Sequence, residues 1–436
     1  MTFEQAKQVL GKNGQSHVLR FWDRLDATAR DALLTQIADI DFGEVARMQK
    51  LLSAKPETHR LTPTPAPVVK WTKQSYADAF AEGEDLLRKG RVAVLLVAGG
   101  QGSRLGYDGP KGAYEIGPVS GMPLFYFHAR KIVRLARIYG KPVPFYIMTS
   151  EVNDAATRAC FEDHDYFGLN PADVIFFKQG LWPALDAEGR LILEAPGRIF
   201  VSPDGHGGTL TALTKNGCLD DMTARGIKSV FYFQVDNPLV DIADPAFIGI
   251  HALCGAELSL KLCLKRSPTE GMGAVAALGN GRCGMIEYSE LTPKQAARFK
   301  YGSPAIHVFS LAFLKKEARK SMPLHVANKK IPSVVEDGKT FKLEILNGHK
   351  FEKFIFDVLP DAKTLINLAF DRADEFSPVK NAVGEDSPAT CRMALQAKWR
   401  RWLTAAGITV PESVPVEIDP ASANGADELK RGLLLG

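Results

Sequence analysis

The stretch Arg91–Gly117, RVAVLLVAGGQGSRLGYDGPKGAYEIG, decides the reading of this chain. It opens with an unbroken apolar run, Val92 to Val97, of the Val- and Leu-rich kind that forms a strand buried on both faces of a parallel sheet. Glycines follow at Gly99, Gly100, Gly102 and Gly106, with Arg104 and Lys111 set among them. A backbone without Cβ atoms turns sharply and comes close to a ligand, leaving N–H groups free to point at an anion. A planar guanidinium and a compact ammonium add the fixed charge that grips a polyphosphate. A glycine turn with solvated cations accounts equally well for a lone glycine motif, but six such features in one short span favour a phosphate site. Two familiar phosphate loops fail on spacing. The dinucleotide fingerprint begun at Gly100 needs a glycine where Leu105 stands, and the P-loop needs Gly-Lys-Ser/Thr, whereas Lys111 lies between Pro110 and Gly112.

Outward from this stretch, apolar strands alternate with helical segments. VAVLLVAG, PVPFYIMTS, DVIFFKQ, KSVFYFQVDN and ELSLKLCLK read as strands, and LFYFHARKIVRLARIYG and TLTALTKNGCLDDMTARG as helices between them. This alternation predicts an α/β fold with a mostly parallel sheet and ligands at the carboxyl ends of its strands. Gly99 to Arg104, Gln179 and Asp236 each follow such a strand, which places them to converge on one crevice. Before Arg91, the capping box Thr2-x-x-Gln5, then HVLRFWDRL and DALLTQIADI, predict three short packed helices. Pro63, Pro65 and Pro67 mark a linker, and one more helix ends at Gly90. After the parallel section, GAVAALGNGRCGMIEYSEL and SPAIHVFSLAFL read as a β insertion or edge. The tail from Ser387 reads as a helix followed by short strands around GITVPESVPVEID. The expected division is a helical region 1–88, a central domain 89–345 and a C-terminal region 346–436.

Composition sets wide bounds. The chain has 436 residues, 45% hydrophobic and 24% charged, enough for a large core and two or three units. Its net charge of +4 is small for this size and argues neither for nor against nucleic acid, and no apolar run approaches a membrane span; no nucleic-acid or membrane partner is expected. The N-terminus lacks an apolar signal core, and the six cysteines form no CxxC pair. Together these predict a cytoplasmic protein with reduced thiols and no zinc site.

The phosphate stretch, LVAGGQGSRLG with PKGAYEIG, resembles the signature of sugar nucleotidyltransferases and, in its wording, that of eukaryote-type UDP-N-acetylhexosamine pyrophosphorylases. The likeness runs from HVLRFWDRL to SPVKNA. It implies a Rossmann-like nucleotide-diphospho-sugar transferase fold and transfer of uridylyl from UTP to a sugar 1-phosphate, with Mg²⁺ and release of pyrophosphate. By the same likeness Ala98, Gly99, Gly100, Gly102, Ser103, Gln179 and Gly205 hold the nucleotide, Gln179 through the uracil. Arg104, Lys111 and Lys350 act on the phosphates. FQVDN ends a strand in Asp236; a carboxylate there is by itself more often a strand-end cap, but it matches the family's metal and nucleotide ligand. Glu287 and Tyr288 of MIEYSEL, His206 of SPDGHGGTLTAL, Ile306 and Lys380 of SPVKNA fall on the sugar side. Lys353 stands open between a ligand role and a structural one.

Two of these positions depart from the family pattern, since His206 and Ile306 each stand where an Asn is usual. An apolar side chain cannot make an amide's hydrogen bonds, so the sugar end differs. Family likeness favours N-acetylglucosamine 1-phosphate and leaves glucose or galactose 1-phosphate open. A non-catalytic nucleotide-sugar-binding protein is the rival class. The missing third glycine disfavours a nicotinamide oxidoreductase. Oligomeric state is not legible.

Overall fold

A computed structural model describes residues 1–54, 63–278, 281–335, 337–342 and 345–435. The chain divides into two compact units that cut across the segments expected from sequence. The smaller comprises Met1–Leu61, Gly180–Thr209 and Ser321–Asp357, the larger Thr62–Gln179, Leu210–Lys320 and Val358–Gly436. The boundary expected at 345 therefore falls inside a segment that packs with the N-terminal helices rather than with the sheet.

The larger unit is built on a seven-stranded, mostly parallel sheet. In chain order its strands are β1 (Val92–Val97), β2 (Phe145–Thr149), β3 (Val174–Lys178), β4 (Ser229–Gln234), β5 (Leu258–Leu264), β6 (Tyr301–Ser310) and β7 (Leu365–Ala369). Their spatial order is β7-β5-β6-β4-β1-β2-β3. All five segments read as parallel strands form in it. Val92 to Leu96 and Phe145 to Met148 are at most 1% exposed, as continuous apolar runs require when helices cover both faces. Only β6 runs antiparallel to its neighbours, pairing with β4 and β5. SPAIHVFS is therefore an interior strand, where an insertion or edge was expected. GAVAAL and the following strand do lie outside, with Thr64–Pro65, in a small antiparallel sheet.

The chain leaves β1 towards β2 and β3, then returns to the other side of β1 as β4, making a topological switch point between β1 and β4. That is where open α/β sheets leave a crevice for ligands. Behind the sheet, helix Lys73–Arg88 meets helix Pro245–Leu253 backbone to backbone. A Cβ at Gly83 would lie 1.8 Å from the Pro245 carbonyl oxygen, and one at Gly249 would lie 1.7 Å from that of Ala79. The segment read as one helix after Ser202 is two, Thr209–Lys215 and Cys218–Ala224, because Gly217 takes a left-handed conformation at φ +71°. In the tail, GITVPESVPVEID forms no strand. The Arg400 guanidinium takes up the carbonyls of Val410, Pro411, Glu412 and Val414, so no neighbouring strand is needed to satisfy them.

In the smaller unit, helices Phe3–Lys12, Ala27–Asp39 and Phe42–Ser53 share a core with Trp182, Leu185, Leu191, Ile199, Val334 and Phe351. Thr2 and Gln5 make the expected capping box. HVLRFWDRL gives two short 3-10 turns instead of a helix, and Phe42–Ser53, capped by Asp41, supplies the third helix. Among the described residues no helix is long and apolar enough to cross a membrane.

Candidate functional site

In the larger unit the glycine stretch forms a closed loop over the carboxyl end of β1. Ala98 N–H bonds the Met148 carbonyl at 2.8 Å, fixing the exit of the strand. The loop then doubles back: Gly102 N–H donates to the Gly109 carbonyl at 2.9 Å and Lys111 N–H to that of Gly100 at 3.0 Å. Gly106, at φ +71°, makes the reversal that other residues rarely make. Gly102 and Gly109 leave room for the Tyr107 ring, which would stand 2.6 and 2.9 Å from a Cβ at those positions. The N–H groups of Gly99 and Gly100 donate to no described residue, so they remain available to an anion. Arg104 and Ser103 are exposed and Lys111 half-buried. Neither cation makes a hydrogen bond or ion pair with any described residue. Two cations and two N–H groups without a partner among the described residues thus stand on this one loop, as an anion site would require.

The loop has a buried anchor that the sequence reading missed. Asn153 is fully buried and its Nδ2 donates to the Ala98 carbonyl at 2.9 Å and the Gly100 carbonyl at 3.3 Å, while Oδ1 accepts from Ser150 N–H at 2.8 Å. Only its place after a strand, at the start of helix Asp154–Glu162, hints at this in sequence. Gln179, just past β3, reaches the same loop. A Cβ on Gly99 would stand 2.8 Å from Gln179 Oε1.

Across the switch point, Val235 N–H bonds the Val97 carbonyl, setting Asp236 beside the base of the loop. Asp236 is 8% exposed, yet its carboxylate makes no hydrogen bond or ion pair with a described residue. A nearly buried carboxylate without a partner is costly, so the strand-end cap reading fails and a cation or ligand donor is the fitting partner. Among the described residues no group of three or more His, Cys, Asp or Glu side chains could hold a metal. A single carboxylate can still hold a divalent cation that takes its other ligands from water and phosphate oxygens.

Two buried lysines fix the chain beyond Asp236. Lys131 Nζ donates to the carbonyls of Pro238 and Val240, at 2.5 and 2.6 Å, and Lys398 Nζ to that of Leu239 at 3.1 Å. Burial pulls the pKa of both below the ordinary lysine range. Val379 N–H bonds the Asp236 carbonyl, so Lys380 is delivered next to Asp236. The Lys380 ammonium lies 5.8 Å from the Phe376 ring and meets no carboxylate among the described residues.

Glu287 and Tyr288 follow the outer strand Cys283–Ile286. Glycines back both: a Cβ at Gly273 would be 3.9 Å from Glu287 Oε1, and one at Gly271 3.5 Å from the Tyr288 ring. Tyr288 is 49% exposed. Ile306, in β6, is 1% exposed and packs in the sheet core with Phe231, Val308 and Leu368. It sits opposite Lys261 of β5.

The smaller unit carries the remaining candidates, and they meet. The turn Asp204–Gly208 lies flush on the backbone at Lys353 and Phe354. Lys353 N–H bonds the Asp204 carbonyl and Gly207 N–H the Lys353 carbonyl, both at 2.8 Å. Gly205, at φ +84°, lies where a Cβ would stand 2.4 Å from the Lys353 carbonyl oxygen. His206 stacks on Phe354 at 5.3 Å and its Nδ1 accepts from Ile355 N–H at 3.1 Å. That bond places the imidazole proton on Nε2. Burial, opposed by Asp357 and reinforced by His325, lowers the His206 pKa to about 4, so the ring is neutral near pH 7. His206 thus supports the turn in a way an Asn, with no ring to stack, does not. Lys350 lies 4.8 Å over the Phe200 ring, with its pKa lowered mainly by burial. It has no carboxylate partner among the described residues, so an arriving phosphate would stabilise its charge. Lys353 is 7% exposed and lies 4.3 Å over Trp182, which gives it a packing role.

A glycine loop whose cations have no partner among the described residues, at the switch point of an α/β sheet and next to a strand that ends in Asp236, has the ingredients of a nucleotide-phosphate site. Comparison with known proteins specifies it. Residues 47–387 match the sequence profile of UTP–glucose-1-phosphate uridylyltransferase. The chain belongs to this family. It is 38% identical to UDP-N-acetylhexosamine pyrophosphorylase-like protein 1 of Homo sapiens, over 96% of this chain and 90% of that one. It is 35% identical to UDP-N-acetylglucosamine pyrophosphorylase of Saccharomyces cerevisiae, over 98% and 96% of the two chains. The crystal structure of uridine diphosphate N-acetylglucosamine pyrophosphorylase from Trypanosoma brucei superposes with a TM-score of 0.85 at 29% identity, covering 99% of this chain and 95% of that one.

Proposed function

We propose that this protein is a uridylyltransferase that joins UTP and a sugar 1-phosphate to give a UDP-sugar and pyrophosphate, on a Rossmann-like nucleotide-diphospho-sugar transferase fold. The observation that carries the reading is the pair of unneutralised cations, Arg104 and Lys111, on a rigid glycine loop beside the partnerless Asp236. The sugar-phosphate oxygen attacks the α-phosphorus in line and pyrophosphate departs. The protein contributes alignment and charge rather than covalent chemistry. Gly99 and Gly100 through their N–H groups, Ser103 through its hydroxyl and Arg104 through its guanidinium bind the β- and γ-phosphates, on a loop that Gly102 closes, stabilising charge that grows on the leaving group. Lys111 acts at the α-phosphate, and Ala98 and Gln179 orient the uracil end. Lys380 holds the sugar phosphate, with Glu287 and Tyr288 on the sugar hydroxyls. By the family likeness Gly205 contacts the nucleotide, His206 lies on the sugar side and Lys350 neutralises phosphate charge. Asp236 would hold a divalent cation, Mg²⁺ by its single-carboxylate chemistry, to neutralise phosphate charge. The six free cysteines accord with a cytoplasmic setting.

The names of the relatives favour N-acetylglucosamine 1-phosphate as acceptor. The test is pyrophosphate release from UTP and Mg²⁺ with a panel of N-acetylglucosamine, N-acetylgalactosamine, glucose and galactose 1-phosphates. Release with the first sugar is expected. Preference for an unacetylated sugar would tie the changed positions His206 and Ile306 to specificity, and UTP binding without release from any sugar would make the protein a nucleotide-sugar binder.

A further inference from the structure

Asp236 ends β4 and Lys380 follows β7, so their spacing depends on what fastens the loop after β7 to the end of β4. The fastening runs through two side chains outside the site. Asn237, 4% exposed, donates from Nδ2 to the Glu375 carbonyl at 2.7 Å and accepts at Oδ1 from Ser377 N–H at 3.1 Å. The Glu375 carboxylate is gripped in turn by Lys261, which points inward from β5 and is 1% exposed. Lys261 Nζ donates to both Glu375 oxygens, at 2.6 and 2.7 Å, and to Asp244 Oδ2 at 2.9 Å. Asp241 N–H adds a bond to Glu375 Oε2 at 3.3 Å. From Lys261 to Lys380 the chain of contacts is continuous: Lys261, Glu375, Asn237, then Ser377 on the Asn237 side chain and Val379 on the Asp236 carbonyl.

An ammonium buried in a sheet strand is a poor source of stability, since desolvation offsets most of the attraction and an apolar residue of similar volume often does as well. What an ion network supplies is direction. The donors of Nζ fix the Glu375 carboxylate in one orientation, and with it the carbonyl that Asn237 holds. Packing alone does not do this here. The same side chains, Asp244, Lys261 and Glu375, border a cavity of about 540 Å³ together with Trp71, Tyr76 and Trp402. On that side the network is held by its own bonds.

We propose that Lys261, Glu375 and Asn237 form a positioning relay that sets Lys380 against Asp236 for the sugar-phosphate half of the reaction. None of the three is placed on the ligand; each acts through the loop that carries Lys380. The inference rests on the uridylyltransferase reading above. It predicts a selective effect: the loop that binds UTP is anchored separately by Asn153 and Met148, and Asp236 is itself held to β1 by the bond from Val235 N–H to the Val97 carbonyl, so cutting the relay moves the loop of Lys380 and spares UTP.

Lys261 is not the variant to make, because its loss leaves Glu375 buried beside Asp241 and Asp244, three carboxylates without their cation, and folding itself is then at stake. Asn237→Ala cuts the relay at one link, and Glu375→Gln keeps the shape and one acceptor while removing the charge. Steady-state kinetics on both, with Lys380→Ala as reference, should show KM for the sugar 1-phosphate raised about tenfold and KM for UTP within about twofold of wild type. Calorimetric titration with the UDP-sugar in the absence of metal should show a parallel weakening. If Lys380→Ala leaves the acceptor KM unchanged, the site assignment is wrong. If Lys380→Ala raises it and the two relay variants do not, the relay is wrong. A rise in both KM values together, or a loss of turnover that only follows a lowered melting temperature, marks a purely structural role and also overturns the relay.

Discussion

Gly99→Ala is the substitution that separates the nucleotide reading from mere loop architecture. The added methyl would lie 2.8 Å from Gln179 Oε1, while its other near neighbours, Ser150 Cβ and N, stand at an ordinary 3.5 and 3.6 Å. A carbon and an amide oxygen rest no closer than about 3.4 Å, so one of them must retreat by about half an ångström. The cheaper retreat is that of the Gln179 side chain, since the Gly99 backbone is braced by the Asn153 bonds to its neighbours Ala98 and Gly100. The fold should therefore lose less than about 1 kcal/mol, because nothing in the core moves. The nucleotide end should lose the Gln179 amide. One hydrogen bond to an unchanged ligand group is worth about 1 to 1.5 kcal/mol, or about tenfold in the dissociation constant for UTP. Isothermal titration with UTP measures this directly. Gln179→Ala should give the same loss, and the double variant no more than either alone, a coupling of about 1 kcal/mol. Affinity for UTP within twofold of wild type in Gly99→Ala, or additive losses in the double variant, would refute the placement of Gln179 in the nucleotide site.

The loop cations give a second expectation. Arg104→Ala and Lys111→Ala should each lower turnover by about two to three orders of magnitude, the scale of one lost charge-stabilising donor. They should leave the melting temperature within about 2 °C, because neither side chain bonds a described residue. Near-normal turnover in either removes it from the phosphate site. The third expectation concerns acid stability. His206 titrates at about 4 in the folded chain because burial disfavours the imidazolium, against 6.5 for the ordinary side chain. The unfolded chain takes up this proton first, so the contribution of the neutral ring is intact above pH 6.5 and is lost as pH falls from 6.5 to 4, by up to about 3 kcal/mol. Urea unfolding at pH 7 and pH 4.5 should show a larger drop for wild type than for His206→Asn; equal drops would mean that the ring is not held neutral.

The sequence by itself determined the layers and the phosphate loop. Continuous apolar runs such as Val92–Val97 and Phe145–Thr149 fit only strands covered on both faces, and glycines placed among Arg104 and Lys111 directly after one of them fit a phosphate far better than a plain turn. Both signals are local: they depend on residue type at short spacing, which the chain carries whatever else it does. Errors fell where a local pattern was settled by distant partners. SPAIHVFS looked peripheral and became an interior strand because β4 and β5 offered it two open edges. GITVPESVPVEID looked like strand and stayed irregular because one guanidinium, Arg400, satisfied its carbonyls. HVLRFWDRL had a helical pattern too short to hold a helix through its turns.

The tertiary structure alone decided which distant residues meet. Asn153 is unremarkable in sequence and Asn237 stands out only as the end of FQVDN, and only the fold shows one holding the glycine loop and the other holding the loop of Lys380. It likewise showed that Asp236 is left without a partner among the described residues, while Lys261, in a mostly apolar strand, is satisfied by acids from two other segments. It assigned Gly205, His206 and Lys350 to the smaller unit and Ile306 to the sheet core. The physical reason is the same in each case. A buried polar group must find its hydrogen-bond partner or a ligand, and whether that partner is protein is fixed by which segments the topology brings together, a quantity that no window of sequence contains.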